Sequence, residues 1–371
     1  MTPRLLARRS RILTLLPALA LVVAGCGGGD GDPGPTSSAP AEPADGGTAV
    51  LPAGSPQDVT TDLTAPWSIA FVGDTALISS RDDGDIWELT ADGSTRLVGT
   101  VDGVVHEGES GLLGLAVDEQ DRLYAYSTAA GGNRVQRFAL DGAPGSYELG
   151  AVETILDGIP AARNHDGGRI AFGPDQMLYV ATGDANDRPA AQDPDSLAGK
   201  ILRLTPDGAA PDDNPVAGSI VYTLGHRNPQ GIAWADDGTM FAAEFGQDTW
   251  DELNIITPGA NYGWPEVEGI GGDDRFVDPV QQWEPSTASP SGIAVADGTV
   301  FIANLRGAVL RSVPVADPTT SIEHFADQYG RLRDVVVAPD GDLWFLTNNT
   351  DGRGDPAGGD DRILRVGLEP A

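Results

Sequence analysis

Lysine occurs once in this chain of 371 residues, at Lys200, and cysteine once, at Cys26. With a single thiol no internal disulfide can form, so the fold cannot rest on a disulfide framework. The scarcity of lysine leaves nearly all positive charge on arginine. That suits fixed, bidentate contacts to anions; a base bias of the genome accounts for arginine over lysine equally well. Positive charge is scarce altogether, with 23 Lys and Arg against 55 Asp and Glu, for a net charge of −32. Such a surface lacks the basic footprint that nucleic-acid binding needs. It also disfavours anionic substrates, except where arginines gather locally, and it keeps a protein soluble. No dinucleotide loop of the Rossmann kind is present: glycine-rich stretches such as Gly27–Gly31 precede no strand–helix unit.

What is there begins with a leader. Arg4, Arg8, Arg9 and Arg11 make a basic start, and Ile12 to Ala24 is an apolar run short for a membrane span. The run ends in Val23-Ala24-Gly25-Cys26, which resembles a bacterial lipobox and places the only thiol where lipidation needs one. An ordinary signal peptide with a chance cysteine is the alternative. On the lipobox reading, residues 1–25 are a removable signal and Cys26 carries lipid. The protein is then exported and lipid-anchored on the outer side of the cell membrane, touching it only through this N-terminus. Residues 26–58 are rich in Gly, Pro, Ser, Ala and Asp without apolar periodicity, the composition of a flexible tether. Residues 59–369 are expected to form one folded domain.

That domain repeats one phrase six times. An apolar run meets a polar corner, usually with Asp and Gly, and a second apolar run follows. The copies are PWSIAFVGDTALISS from Pro66, SGLLGLAVDEQDRLYAYS from Ser110, GGRIAFGPDQMLYVAT from Gly167, PQGIAWADDGTMFAAE from Pro229, PSGIAVADGTVFIAN from Pro290 and LRDVVVAPDGDLWFLT from Leu332. Repetition at roughly 40–60 residues marks a repeat architecture whose unit cannot bury its own apolar face. Two β runs joined at a tight turn make the unit a small antiparallel sheet. The expected fold is all-β, a six-bladed β-propeller of four-stranded antiparallel sheets, whose blade-connecting loops surround a central channel.

Polar phrases interrupt this pattern. Asn164-His165-Asp166-Gly167-Gly168 precedes the third copy, and Gly183-Asp184-Ala185-Asn186-Asp187 ends its second run. Histidine is the usual general base near neutral pH, and Asp184 can hold its tautomer; a surface-loop histidine is the plain alternative. Gly225-His226-Arg227-Asn228-Pro229 opens the fourth copy. Its Arg–Asn pair offers several donors to carbonyl or carboxylate oxygens. Turn chemistry around Pro229 accounts for Asn228 but not for Arg227. Arg331 and Arg333, two residues apart at the last copy, point the same way in a strand. In so acidic a chain they suggest a small polyanionic ligand; pairing with surface carboxylates is the alternative.

Taken together, GGRIAFGPDQMLYVATGD with His165, GHRNPQGIAW, AAEFGQDTWDELN, NYGWP and RLRDVVVAPDG closely resemble the soluble quinoprotein glucose dehydrogenases. They resemble still more the related aldose sugar dehydrogenases and sorbosone-dehydrogenase-like proteins, over about Leu63 to Val366. The resemblance implies a propeller holding pyrroloquinoline quinone (PQQ) and Ca²⁺ on its axis. It implies His165 as catalytic base with Asp184 as its partner, and Arg227 and Asn228 on the quinone oxygens. Arg331 and Arg333 would bind the cofactor carboxylates, and Thr287 would contact the cofactor. The backbone carbonyls of Gly246 and Gln247 would bind the cofactor calcium; Asp251, Glu252 and Tyr262 resemble a separate structural calcium site, of the oxygen type this ion prefers. Glu109 and Phe245 would lie near the sugar.

The chain also departs from the family. Leu305 stands where glucose dehydrogenases carry a cofactor-binding lysine, and only Arg306, if turned inward, could replace that charge. The implied activity is oxidation of the anomeric C1 of an aldose to a lactone, with electrons passed to an external acceptor. Two rivals stand beside it: a calcium-dependent lactonase, which would need axial carboxylates and no arginine clamp, and a non-catalytic lipoprotein that binds a sugar or protein.

Overall fold

The computed structural model describes residues 48–371, and nearly all regular structure in that span is β-strand. β1 (Val50–Thr60) comes first. Blade 1 is β2 (Pro66–Val72), β3 (Thr75–Ser80), β4 (Asp85–Leu89) and β5 (Thr95–Thr100). Blade 2 is β6 (Leu112–Val117), β7 (Leu123–Ala129), β8 (Gly132–Asp141) and β9 (Glu148–Ile159). Blade 3 is β10 (Ile170–Phe172), β11 (Leu178–Thr182), β12 (Lys200–Leu204) and β13 (Val221–Leu224). Blade 4 is β14 (Pro229–Trp234), β15 (Met240–Glu244), β16 (Asp251–Ile256) and β17 (Gln281–Trp283). Blade 5 is β18 (Pro290–Ala296), β19 (Thr299–Asn304), β20 (Val309–Pro314) and β21 (Ile322–His324). Blade 6 is β22 (Leu332–Val337), β23 (Leu343–Thr347) and β24 (Ile363–Pro370), completed by β1. The result is six four-stranded antiparallel sheets, a six-bladed β-propeller.

Each repeated phrase is the inner hairpin of a blade. These strands are buried on both faces, as β3 and β11 show along their whole length, which explains their near-continuous apolar runs. The core lies between neighbouring sheets. Leu77 and Ile86 of blade 1 pack with Leu112 and Leu123 of blade 2, and Tyr126 of blade 2 with Val180 and Leu202 of blade 3. The series continues round to Leu346 and Ile363 of blade 6 against Ile69 and Ile78 of blade 1, closing the ring.

One boundary needs correction. The tether expected through residue 58 ends earlier, because Val50–Thr60 is a strand paired antiparallel with β24, Val50 opposite Pro370. The strand is only partly buried and carries Pro52, Gly54 and Pro56, so it shows no apolar period; an outermost strand with one neighbour tolerates that. The leader and Cys26 lie outside the described residues.

The inner hairpins all turn at one end of the channel, so blade-to-blade connections and the loops after second strands gather at the other. At the hairpin end the innermost strands line a cavity of about 790 Å³. Arg169 and Asp334 close its inner limit, bridging across the channel at 3.0 Å, with Arg169 stacked 4.4 Å from the Trp67 ring. Every site residue discussed below lies beyond that bridge, on the connecting loops or at strand ends of the opposite end.

Candidate active site

His165 sits in the β9–β10 connection with a left-handed backbone, φ 64°. That conformation is uncommon for a residue with a Cβ. The Glu109 carboxylate, on the β5–β6 connection, accepts its N–H at 3.1 Å. The ring is held at both nitrogens. Nδ1 lies 2.7 Å from Asp184 Oδ1, and Nε2 lies 2.8 Å from Arg227 Nη2. A carboxylate can only accept and a guanidinium can only donate, so these partners place the imidazole proton on Nδ1 and leave the Nε2 lone pair facing Arg227.

Asp184 is fully buried. Burial pushes its carboxyl pKa up, but His165, the Asn186 N–H and the Trp264 indole N–H at 2.9 Å outweigh it and hold it below its ordinary value. Arg227 is nearly buried. Its Nη1 donates to the Phe245 carbonyl at 3.0 Å, and its Nη2 to Gln247 Oε1 at 2.8 Å. Burial lowers its pKa despite the surrounding carboxylates. Asn228 is fully buried, with Oδ1 accepting the Gly167 N–H at 2.9 Å and Nδ2 donating to Glu109 at 3.4 Å. Its amide therefore fastens the histidine loop from below. Gly183 allows the close fit: a Cβ there would collide with the His165 carbonyl.

A chain of contacts joins this group to the arginine pair. Glu109 Oε1 accepts from Arg353 Nη1 at 3.0 Å, and Arg353 N donates to Asp351 at 2.8 Å. Asp351 in turn accepts from Arg331 at 2.9 Å. Burial pushes Glu109 up, and the His165 N–H with Arg353 brings it below the usual carboxylate range. Arg331 bonds Asp351, which Arg333 approaches only to 3.9 Å, so the two guanidiniums lie near one carboxylate. The other Arg333 bonds go to the neutral Asn348, Gln230 and Ser291. Burial pushes the Arg333 pKa down to about 9, with Arg331 and Arg81 adding to the effect. A buried guanidinium without a close carboxylate suits an anionic ligand.

Other expected residues stand apart. Thr287 is exposed and its hydroxyl donates to the Glu284 carbonyl at 3.0 Å. Arg306 is exposed and joins none of the ion pairs of the described residues, while Leu305 is buried. Asp251 stands apart from Glu252 and Tyr262, which line one small cavity with Glu244 and Glu268. Asp251 and Glu252 are consecutive in β16, so their side chains leave opposite faces. Asp251 accepts the N–H groups of Gly246 at 2.8 Å and Ser289 at 2.6 Å. The Tyr262 hydroxyl donates to Ile255 O. Glu252 instead shares the Asn254 Nδ2 with Glu244, and burial with that neighbour pushes it up to about 8. Among the described residues no three His, Cys, Asp or Glu gather to hold a metal. The carbonyls of Gly246 and Gln247, by contrast, accept no hydrogen bond among the described residues, so these two oxygens fit a hard cation.

Sequence reasoning missed Trp264 on Asp184, the Gln247 side chain on Arg227, and Asp351 with Arg353. Trp264 and Gln247 lie inside motifs already quoted, but nothing in those strings says which group each bonds; Asp351 and Arg353 stand in a loop with no such motif.

Comparison with known proteins shows the family. A match to the family Glucose / Sorbosone dehydrogenase spans residues 63–364. The Aldose sugar dehydrogenase YliI of Escherichia coli is 32% identical over 337 residues, 78% of this chain and 89% of that protein. Quinoprotein glucose dehydrogenase B of Acinetobacter calcoaceticus is 30% identical over 259 residues, 59% of this chain and 54% of that one; the chain thus spans about half the length of this relative. A solved structure of the PQQ-bound form of aldose sugar dehydrogenase from Streptomyces coelicolor is 48% identical, covering 87% of this chain and 99% of that one, with a TM-score of 0.82. With a match over most of the propeller, this chain belongs to the glucose/sorbosone dehydrogenase family of oxidoreductases.

Proposed function

We propose that this protein oxidises the anomeric C1 of aldose sugars to lactones, using PQQ and Ca²⁺ and passing electrons to an external acceptor. The observation that carries the reading is the His165 ring, fixed by Asp184 at 2.7 Å with its Nε2 lone pair turned to Arg227. PQQ, when bound, supplies the two-electron acceptor for the hydrogen at C1. Arg331 and Arg333 would hold its carboxylates, and the Gly246 and Gln247 carbonyls its calcium. His165 Nε2 takes the proton of the anomeric hydroxyl. Asp184 keeps the Nδ1 proton in place and stabilises the imidazolium that forms. Arg227, released from Nε2 as the sugar enters, places its positive charge beside the reacting oxygens. Glu109 holds the base by its backbone N–H, and with Phe245 it would contact the sugar. The arginine pair, with no cluster of three metal-holding side chains among the described residues, favours this reading over a lactonase.

The anchor belongs to the same proposal and rests on Cys26 and the leader alone. A lipidated Cys26 would hold the propeller outside the cell membrane, within reach of sugar and acceptor. An unmodified residue 26 in the mass of the native N-terminal peptide overturns it. For the activity, apoprotein given PQQ and Ca²⁺ should reduce an artificial dye with aldoses, and NAD should not substitute. Equal dye reduction with and without PQQ, over a broad aldose panel, rules out the dehydrogenase reading.

A further inference from the structure

Glu268 lies on the long connection between β16 and β17, about twenty residues beyond the Gly246–Gln247 pair in sequence. Its Oε1 accepts four consecutive backbone N–H groups: Gln247 at 2.7 Å, Asp248 at 3.1 Å, Thr249 at 2.9 Å and Trp250 at 3.0 Å. Successive N–H groups converging on one oxygen form a concave anion nest. Here the chain fills the nest with its own carboxylate. Burial pushes Glu268 up, but the four N–H groups outweigh it and hold it below its ordinary value.

The consequence follows from peptide geometry. In a trans peptide the C=O of one residue points opposite to the N–H of the next, and the peptides of this loop are trans. The N–H of Gln247 shares its peptide with the Gly246 carbonyl; the N–H of Asp248 shares its own with the Gln247 carbonyl. By drawing both N–H groups inward, Glu268 turns both carbonyls outward, away from itself. Two further contacts fix the start of the loop. Asp251 holds the Gly246 N–H at 2.8 Å, and Arg227 holds the Phe245 carbonyl at 3.0 Å. Residue 246 must be glycine, because a Cβ there would collide with the Trp250 carbonyl and press on Glu268 Oε1.

We infer that Glu268 is the positioning residue that aims the Gly246 and Gln247 carbonyls as a preformed two-oxygen half-site for a hard cation. The cation part of the inference rests on the function proposed above; the loop-holding part does not. Glu268 acts through the peptide planes of its neighbours. Partners of this kind, one step removed from a metal, typically change its affinity by about 10–100-fold.

Two measurements on the full chain test this. The first needs no cofactor: hydrogen exchange at amides 247–250 in wild type, Glu268→Ala and Glu268→Gln. Exchange there should quicken about tenfold or more in the alanine variant and by less in the glutamine variant, which keeps an acceptor without its charge, while the blades exchange as before. The second is a Ca²⁺ titration of PQQ retention, read by absorbance. Its midpoint should rise by roughly 10–100-fold in Glu268→Ala, with partial recovery in Glu268→Gln. Unchanged exchange at 247–250 overturns the inference, and so does faster exchange with an unmoved midpoint. A wild type that retains PQQ regardless of Ca²⁺ overturns the cation half together with the proposed calcium dependence, while the exchange data still decide whether Glu268 holds the loop. Should the alanine variant not fold, the glutamine variant alone carries both readouts.

Discussion

His165 is held at three points, and each has a separable consequence. Its backbone sits at φ 64° under the Glu109 carboxylate, its Nδ1 on Asp184 and its Nε2 on Arg227. Removing the ring removes the base and leaves the Glu109 bond to the backbone intact. His165→Ala should therefore lower kcat by about 10²–10⁴-fold and leave PQQ affinity within a few-fold, as read by single-turnover rates at saturating aldose beside a cofactor titration. Asp184→Asn keeps an oxygen for Nδ1 but loses the charge that stabilises the imidazolium, so its kcat loss should be smaller. Wild-type turnover in His165→Ala would remove this residue from the chemistry. His165, Asp184 and Arg227 were legible in the sequence because each sits in a polar phrase breaking an apolar pattern. Glu268 and Asp351 were not legible, because their partners are largely backbone N–H groups, which leave no mark on residue type, and their own surroundings are ordinary loop.

Among the elements, legibility followed burial. The inner hairpins, packed on both faces, show as apolar runs in all six copies. Outer strands such as β21 and β9 are short or exposed, and carry no such run. β1 is the extreme case, and it is also the closure of the ring. It covers the β24 edge, and the Val50 N–H and carbonyl both bond to the Thr299 hydroxyl of blade 5 at 3.0 Å. Without it β24 becomes an open edge, a template for association with other chains. A chain beginning at residue 48 should therefore be soluble, cooperative in thermal unfolding and fully active. One beginning at residue 61 should aggregate or unfold at markedly lower temperature. Equal Tm for the two chains, by circular dichroism, would show that β1 contributes nothing to closure.

Across the whole molecule, buried carboxyls and surface charge act in the same direction as pH changes. Asp166 and Asp251 are buried, and burial pushes each up to about 6; one oxygen of Asp166 finds no partner among the described residues. In the unfolded chain such groups ionise near 3.9. Between about pH 4 and pH 6 the folded state thus binds more protons than the unfolded one, and stability falls as pH rises through that window. Glu252, pushed up to about 8, extends the fall. Glu109, Asp184 and Asp351 have the opposite shift. Their stabilisation is complete above the unfolded value and is lost only as pH drops through their lowered folded values, below the window. Lys200, lowered to about 8 by burial, makes stability rise with pH, but only from about 8 upward. From pH 8 to about 5.5 the apoprotein should therefore gain on the order of 1 kcal/mol from each of Asp166 and Asp251, a rise of a few degrees in Tm. Self-repulsion in a chain of net charge −32 also eases on acidification. Salt separates the two causes, since about 1 M salt screens surface charges to roughly 3 Å but leaves buried groups largely untouched. The rise should persist in high salt with chelator present and shrink by about 1 kcal/mol, the Asp166 share, in Asp166→Asn, whose amide can place its N–H₂ where the unpartnered oxygen lies. A Tm that is flat or falling from pH 8 to 5.5 in high salt would mean that these carboxyls do not hold protons in the folded state.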